Sequence, residues 1–165
     1  MTFQVRHPLV ENQFSTFDST SSETLPVAAG KLVYIVGVTA DGRTVVDVIS
    51  NAGAQTAYGW LMQKVKAEST ELPPGFRFAS DMGSSDAFIG DPVAVAMGVG
   101  AVYETDQYVD EASDGIAAGV LLYSDNDGKL SDADADSGVL VAQAMNTLTA
   151  AETAAGAMLR IKALV

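Results

Sequence analysis

The chain has 165 residues, of which 21 are acidic and 9 basic, giving a net charge of −12. At this length one domain buries about 70% of its unfolded surface, so a single core with an appendage is expected. The charge repels phosphate backbones and leaves no basic stripe, which argues against nucleic-acid binding, and the lack of cysteine excludes disulfides and thiolate metal sites.

Hydrophobic residues make up 48% of the chain and glycine is frequent, a mix that suits short strands joined by tight turns. The N-terminus, MTFQVRHPLVENQF, has no continuous apolar stretch of the secretory kind, so no signal peptide is expected there. The longest apolar run, PVAVAMGVGAV at residues 92–102, is far shorter than the roughly 20 residues a spanning helix needs. Membrane insertion is not expected.

Residues 1–27 show neither a helical nor a strand period. Phe3, Val5, Leu9, Phe14 and Phe17 are spaced along a segment that runs into the polar stretch STFDSTSSET. Two readings stay open: a disordered tail, or an extended arm that orders against another subunit with those five side chains as anchors. The domain itself is placed at residues 28–165.

It opens with KLVYIVGVTADGRTVVDVIS, in which two β-branched runs flank Ala40-Asp41-Gly42-Arg43. Asp-Gly between such runs predicts a hairpin with a type I′ turn, strands at 31–39 and 44–50. A third strand is expected at 58–67, with Trp60, Met62, Lys64 and Lys66 on one face by the two-residue period. Residues 68–90, with adjacent prolines and several glycines, read as a long surface loop. It is either a lid that brings Phe76, Phe78 and Phe88 over one end of the core, or a contact element.

From Asp91 onward short strand candidates follow one another: PVAVAM, GAVYETDQYV, GVLLYSD, GKLSD, GVLVAQAM and AMLRIKALV. Such spacing predicts an all-β fold, a small β-sandwich or β-barrel. At most one short helix is expected, at 149–155, where Thr149 and Glu152 have capping-box spacing and Gly156 can end the turn.

Nothing in the sequence organises a catalytic centre. His7, the single histidine, lies in the irregular N-terminal segment, away from any scaffold that could orient it toward a serine. Glu104 and Asp106 are expected on one strand face, with Asp110 and Glu111 just beyond, a spacing open to paired-carboxylate chemistry and equally to a solvated strand face. Gly98-Val99-Gly100 and Gly115-Ile116-Ala117-Ala118-Gly119 lack the strand-to-helix context of phosphate loops and read as turns or bulges. No cofactor is expected.

The aspartate-rich SDNDGKLSDADADSG at residues 124–138 invites a calcium reading. An EF-hand loop needs oxygen ligands at its first, third, fifth and twelfth positions and glycine at its sixth. With Gly128 sixth, Tyr123 falls first; with Asp132 first, Gly138 comes one residue late and Gln143 falls twelfth. Both registers fail, and no metal site is expected. Asn126-Asp127-Gly128 reads instead as a hairpin turn, and residues 132–138 as the lead into the next strand.

The succession DPVAVAMGVGAVYETDQYV, IAAGVLLYSDNDGKLSD, SGVLVAQAMN, GAMLRIKALV resembles the β core of tailed-bacteriophage capsid decoration, or cement, proteins. The resemblance covers residues 91–165 and is carried by Ala118 to Tyr123, the return from Gly128 to Ser131, and the strands at 139–145 and 158–165. It implies a non-enzymatic virion protein on the outer capsid surface, commonly a homotrimer, that binds the major capsid protein and reinforces the shell. Residues 1–27 would then clamp the capsid subunit or a neighbouring copy. The alternative is a head-fibre or appendage module binding a carbohydrate or cell-surface ligand, with Trp60, Tyr103 and Tyr108 as candidate stacking residues, although strand aromatics usually serve the core.

Overall fold

The computed structural model describes residues 4–5, 11–67, 86–134 and 137–165. The fold is all-β, with a closed five-stranded barrel, a seven-stranded half-barrel sheet and, among the described residues, one short helix.

The barrel is built from β2 (Glu11–Phe17), β3 (Leu32–Val38), β4 (Thr44–Val48), β5 (Gly59–Leu61) and β8 (Pro92–Met97), in the order β2-β4-β3-β5-β8. Its interior holds Phe17, Val33, Val46, Val48, Leu61, Val93 and Val95, all essentially inaccessible to solvent. The expected arm therefore needs correction. Residues 11–17 are a barrel stave, parallel to β4 and antiparallel to β8, and Phe17 belongs to the chain's own core rather than to an interface. The stave was hard to read because its alternation is inverted: Ser15 points into the barrel and Phe14 out to solvent.

The larger sheet is ordered β1-β9-β16-β14-β12-β13-β10, from β1 (Gln4–Val5), β9 (Val102–Thr105), β16 (Leu159–Ala163), β14 (Leu140–Ala144), β12 (Leu121–Ser124), β13 (Leu130–Ser131) and β10 (Tyr108–Val109). Its strands pair antiparallel except β10 with β13. Two small pairs complete the fold: β6 (Val65–Lys66) with β7 (Ala87–Phe88), and β11 (Gly115–Ile116) with β15 (Leu148–Thr149). The five-residue α1 (Ala150–Ala154) has the expected capping box between Thr149 and Glu152, and Gly156 follows it at φ +68°.

One wall is shared by the two halves. Along β3, β5 and β8 successive residues point to opposite sides, as the pleat requires. Val33, Leu61 and Val95 enter the barrel, while Leu32, Trp60 and Ala96 join Tyr103, Leu122, Leu159 and Ile161 beneath the larger sheet. With both faces covered, all three residues of β5 are buried.

Three strand expectations shift. The strand at 58–67 divides into β5 and β6, with Met62, Gln63 and Lys64 between them, where Gln63 Oε1 accepts the Ala94 amide at 3.0 Å. The long loop ends earlier than residue 90, because Ala87 and Phe88 pair with β6; Phe76 and Phe78 lie outside the described residues. The strand through Glu104 stops at Thr105, whose hydroxyl accepts the Gln107 amide at 3.0 Å.

The β3–β4 turn is also of a different kind from the one expected. Thr39 N–H donates to Arg43 O at 2.8 Å and Gly42 N–H to Thr39 O at 2.9 Å; Gly42 has φ +84° and Asp41 does not have positive φ. This is the three-residue hairpin with a left-handed glycine rather than type I′. The same pattern recurs at residues 125–129, with bonds of 3.0 Å and Gly128 at φ +64°.

That second turn clasps the barrel. Gly128 O accepts the Leu32 amide at 2.6 Å, Asn126 Oδ1 accepts the Ala52 amide at 2.8 Å, and Asp127 pairs with Lys31 at 2.6 Å and Lys129 at 2.8 Å. A methyl on Gly128 would come within 2.5 Å of Val48 Cγ1 and 2.9 Å of Leu32 O, whereas one on Gly42 would meet open space. Gly128→Ala should therefore cost about 2–4 kcal/mol through steric conflict added to backbone strain, against about 1 kcal/mol for Gly42→Ala. Urea unfolding of the two variants measures the difference; equal losses would mean that the 125–129 turn does not clasp the barrel.

Candidate functional site

Of the five candidate anchors, Phe3 and Leu9 lie outside the described residues. Val5 lies in β1, opposite Tyr103 of β9. Phe17 is fully buried, and Phe14 is 72% exposed. Phe14 and Phe17 thus do not share one surface, and Phe14, outward on β2, is an anchor whose described side chain is open to a partner.

The residues considered for chemistry or ligand stacking are engaged structurally. Arg160 donates from Nε at 3.0 Å and Nη2 at 2.9 Å to Glu104 Oε1, a charge-assisted pair across β9 and β16. Asp106, beyond the strand end, accepts from Gln107 Nε2 at 2.7 Å. Glu104 thus lies within β9, and Asp106 just past its end. His7 lies outside the described residues.

Trp60 and Tyr103 are both fully buried, their rings 5.3 Å apart and tilted by 45°. The Tyr103 hydroxyl donates to Met97 O at 3.3 Å, and burial pushes its pKa up to about 12. Tyr108 donates to Ala157 O at 2.7 Å. Stacking on a sugar is closed to Trp60 and Tyr103.

Sequence reasoning missed one juxtaposition. Parallel pairing of β10 with β13 brings Asp132 beside Asp110 and Asp114, with one carboxylate oxygen of each within 4.8 Å of the others. Asp132 is distant in the chain from Asp110 and Asp114, so only the strand pairing could reveal the group. Two of the oxygens are engaged: Asp110 Oδ2 accepts Thr153 Oγ1 at 2.7 Å and the Gly115 amide at 2.9 Å, and Asp132 Oδ1 accepts the Glu111 amide at 3.0 Å, whereas Asp110 Oδ1 is buried without a hydrogen-bond partner among the described residues. They tie the 110–115 loop to α1 and to β13.

The described surface does carry large apolar side chains in the open. One set lies on the barrel, Phe14 on β2 and Ile35, Val36 and Val38 at the far end of β3. Another lies on the larger sheet, where Leu121 of β12 and Leu140 of β14 are exposed beside Val139. Large exposed apolar patches mark protein or membrane contact sites or ligand-binding grooves.

The Asp110 network makes a pH prediction. The hydrogen bond from Thr153, helped by the loop amides, holds the Asp110 carboxyl below the usual carboxylate range. A depressed folded-state pKa stabilises the fold above the ordinary aspartate range, and that stability is lost as pH falls through the folded value. Thr153→Ala should raise the Asp110 titration midpoint and move the acid limb of the stability profile to higher pH. Carboxyl ¹³C shifts followed against pH check this; an unmoved midpoint would assign the depression to the loop amides alone.

No family model matches the chain, and no curated protein matches it either, so its function is argued from the surface and from the sequence resemblance.

Proposed function

We propose that this chain is a structural virion protein, a decoration protein that binds the outer surface of a tailed-phage capsid as a homotrimer and stabilises the shell by bridging major capsid protein subunits. The observation that carries the reading is Phe14, a phenylalanine 72% exposed on the outside of a rigid barrel stave. An aromatic held outward on a closed barrel loses little conformational freedom on binding, the property of an interface anchor.

Two further features support it. The exposed apolar residues lie on open strand faces, suited to a broad protein contact. The −12 charge suits an exterior location and would be repelled by a packaged genome. Under this reading the acidic and aromatic residues of the interior are structural, and the protein acts by contact alone. The appendage alternative loses two of its three named stacking residues, because Trp60 and Tyr103 are buried.

The test is co-sedimentation with purified capsid shells, comparing the intact chain with Phe14→Ser. Removing residues 1–24 would also remove a barrel stave, so the point variant is the cleaner probe. The intact chain should bind, and Phe14→Ser should weaken binding about 10- to 30-fold, as loss of an anchor worth about 2 kcal/mol does, with little change in Tm. Failure of the intact chain to sediment with any shell would remove the capsid reading; equal binding by the variant would remove Phe14 from it.

A further inference from the structure

We propose that the open edge of β3, Ile35 to Val38, is a β-augmentation site for an extended, β-branched segment of another protein that carries basic residues at its ends. The inference concerns this chain's surface in any assembly and does not rest on the virion reading.

The edge arises because β5 is short. β5 pairs with β3 only at Leu32 and Val33, and the bond from the Tyr58 amide to Val33 O at 2.8 Å is the last on that side. Beyond it, among the described residues, the backbone of Ile35, Val36, Gly37 and Val38 pairs with β4 alone. An unpaired strand edge presents a row of amides and carbonyls that a further strand can satisfy.

Side chains along the edge fit such a partner. Ile35, Val36 and Val38 are 48%, 45% and 67% exposed, and no charged residue occurs between Leu32 and Thr39. Proteins commonly protect free edges with lysine, proline or a covering element; among the described residues the one such device at this edge is the bulge between Ile35 and Gly37. Just ahead of β5, a groove of about 450 Å³ opens between Tyr34 and Ile35 on one side and residues 54–58 on the other. An added strand would continue the sheet along its wall.

Charge selects the occupant. Asp47 is the cross-strand neighbour of Tyr34, and Asp18 follows on the next stave, its amide bonded to Val46 O. Burial pushes the Tyr34 hydroxyl up, and the carboxylates of Asp47, Asp18 and Glu23 push it the same way, which places negative charge beside the Tyr34 end of the edge; at the other end Arg43 is paired with Asp41. A second copy would bring its own net charge of −12 to this edge. A strand flanked by lysine or arginine is attracted to it.

The probe is the capped heptapeptide lysine-valine-threonine-valine-threonine-valine-lysine, with a glutamate-flanked counterpart, titrated into the full chain while amide hydrogen exchange is followed by NMR. The expected result is saturable binding in which exchange within residues 35–38 slows at least tenfold. The glutamate-flanked peptide should bind at least tenfold more weakly. Val38→Lys, an exposed substitution that places a charge on the edge, should weaken the lysine-flanked peptide at least tenfold while Tm stays within a few degrees.

No protection of residues 35–38 at millimolar peptide, protection confined to other strands, equal affinity for the two peptides, or unchanged binding by Val38→Lys would each overturn the proposal. So would self-association that protects the same amides without peptide, which would assign the edge to a second copy. Capsid binding is not measured here, so failure of this test and failure of the capsid reading are separate results.

Discussion

The contact between Trp60 and Tyr103 holds the two halves of the fold to one another. Trp60 stands on β5, a barrel stave, yet points away from the barrel; Tyr103 stands on β9 of the larger sheet and meets it at 5.3 Å. A tilted aromatic pair adds about 0.5–1.5 kcal/mol to the burial of two large side chains. Its larger effect is positional, since close-packed interiors transmit any change in such large groups to their neighbours. Trp60 Nε1 is buried without a hydrogen-bond partner among the described residues, which costs about 1–3 kcal/mol. The ring is retained there despite this cost, consistent with its packing role.

From that wall the remaining features follow. Because β3, β5 and β8 are covered on both sides, the barrel and the sheet cannot slide past each other without exposing one of two cores. The 125–129 turn then fixes the register from outside, its glycine pressed against Val48 and its aspartate held between two lysines. Exposed ion pairs contribute little by themselves. Lys31, however, is mostly buried, and its pair with Asp127 sits beside backbone bonds that the same turn makes to Leu32 and Ala52. Asp127, from the stretch that suggested a metal loop, joins the two halves.

The same construction decides which surface is left for partners. Short β5 begins only at Gly59, opposite Val33, so β3 outruns it and shows a free, uncharged edge. β2 closes the barrel with Ser15 inward, which turns Phe14 outward. Neither feature is a property of one segment; each is what remains when another strand ends or faces a given way. The carboxylates of Asp110, Asp114 and Asp132 likewise meet only because β10 and β13 run parallel.

Local chemistry made much of the architecture legible. Asp41-Gly42 and Asp127-Gly128 marked two hairpins because a left-handed residue is cheap only for glycine, and Thr149 with Glu152 marked the helix start because a capping box satisfies two orphan amides at once. Regular alternation exposed PVAVAM and the final strand, whose inward and outward residues keep strict period. Residues 11–17 were illegible for the opposite reason: a small polar residue faces in and an aromatic faces out, and a period read from hydrophobicity cannot detect an inverted stave. By itself the sequence determined the all-β class, the turns and the cap, since these depend on backbone preferences within a few residues. Only tertiary structure decided that Trp60 and Tyr103 are core, that Phe17 is buried while Phe14 is not, and that β3 keeps an open edge, because burial and pairing are set by which distant strand arrives alongside.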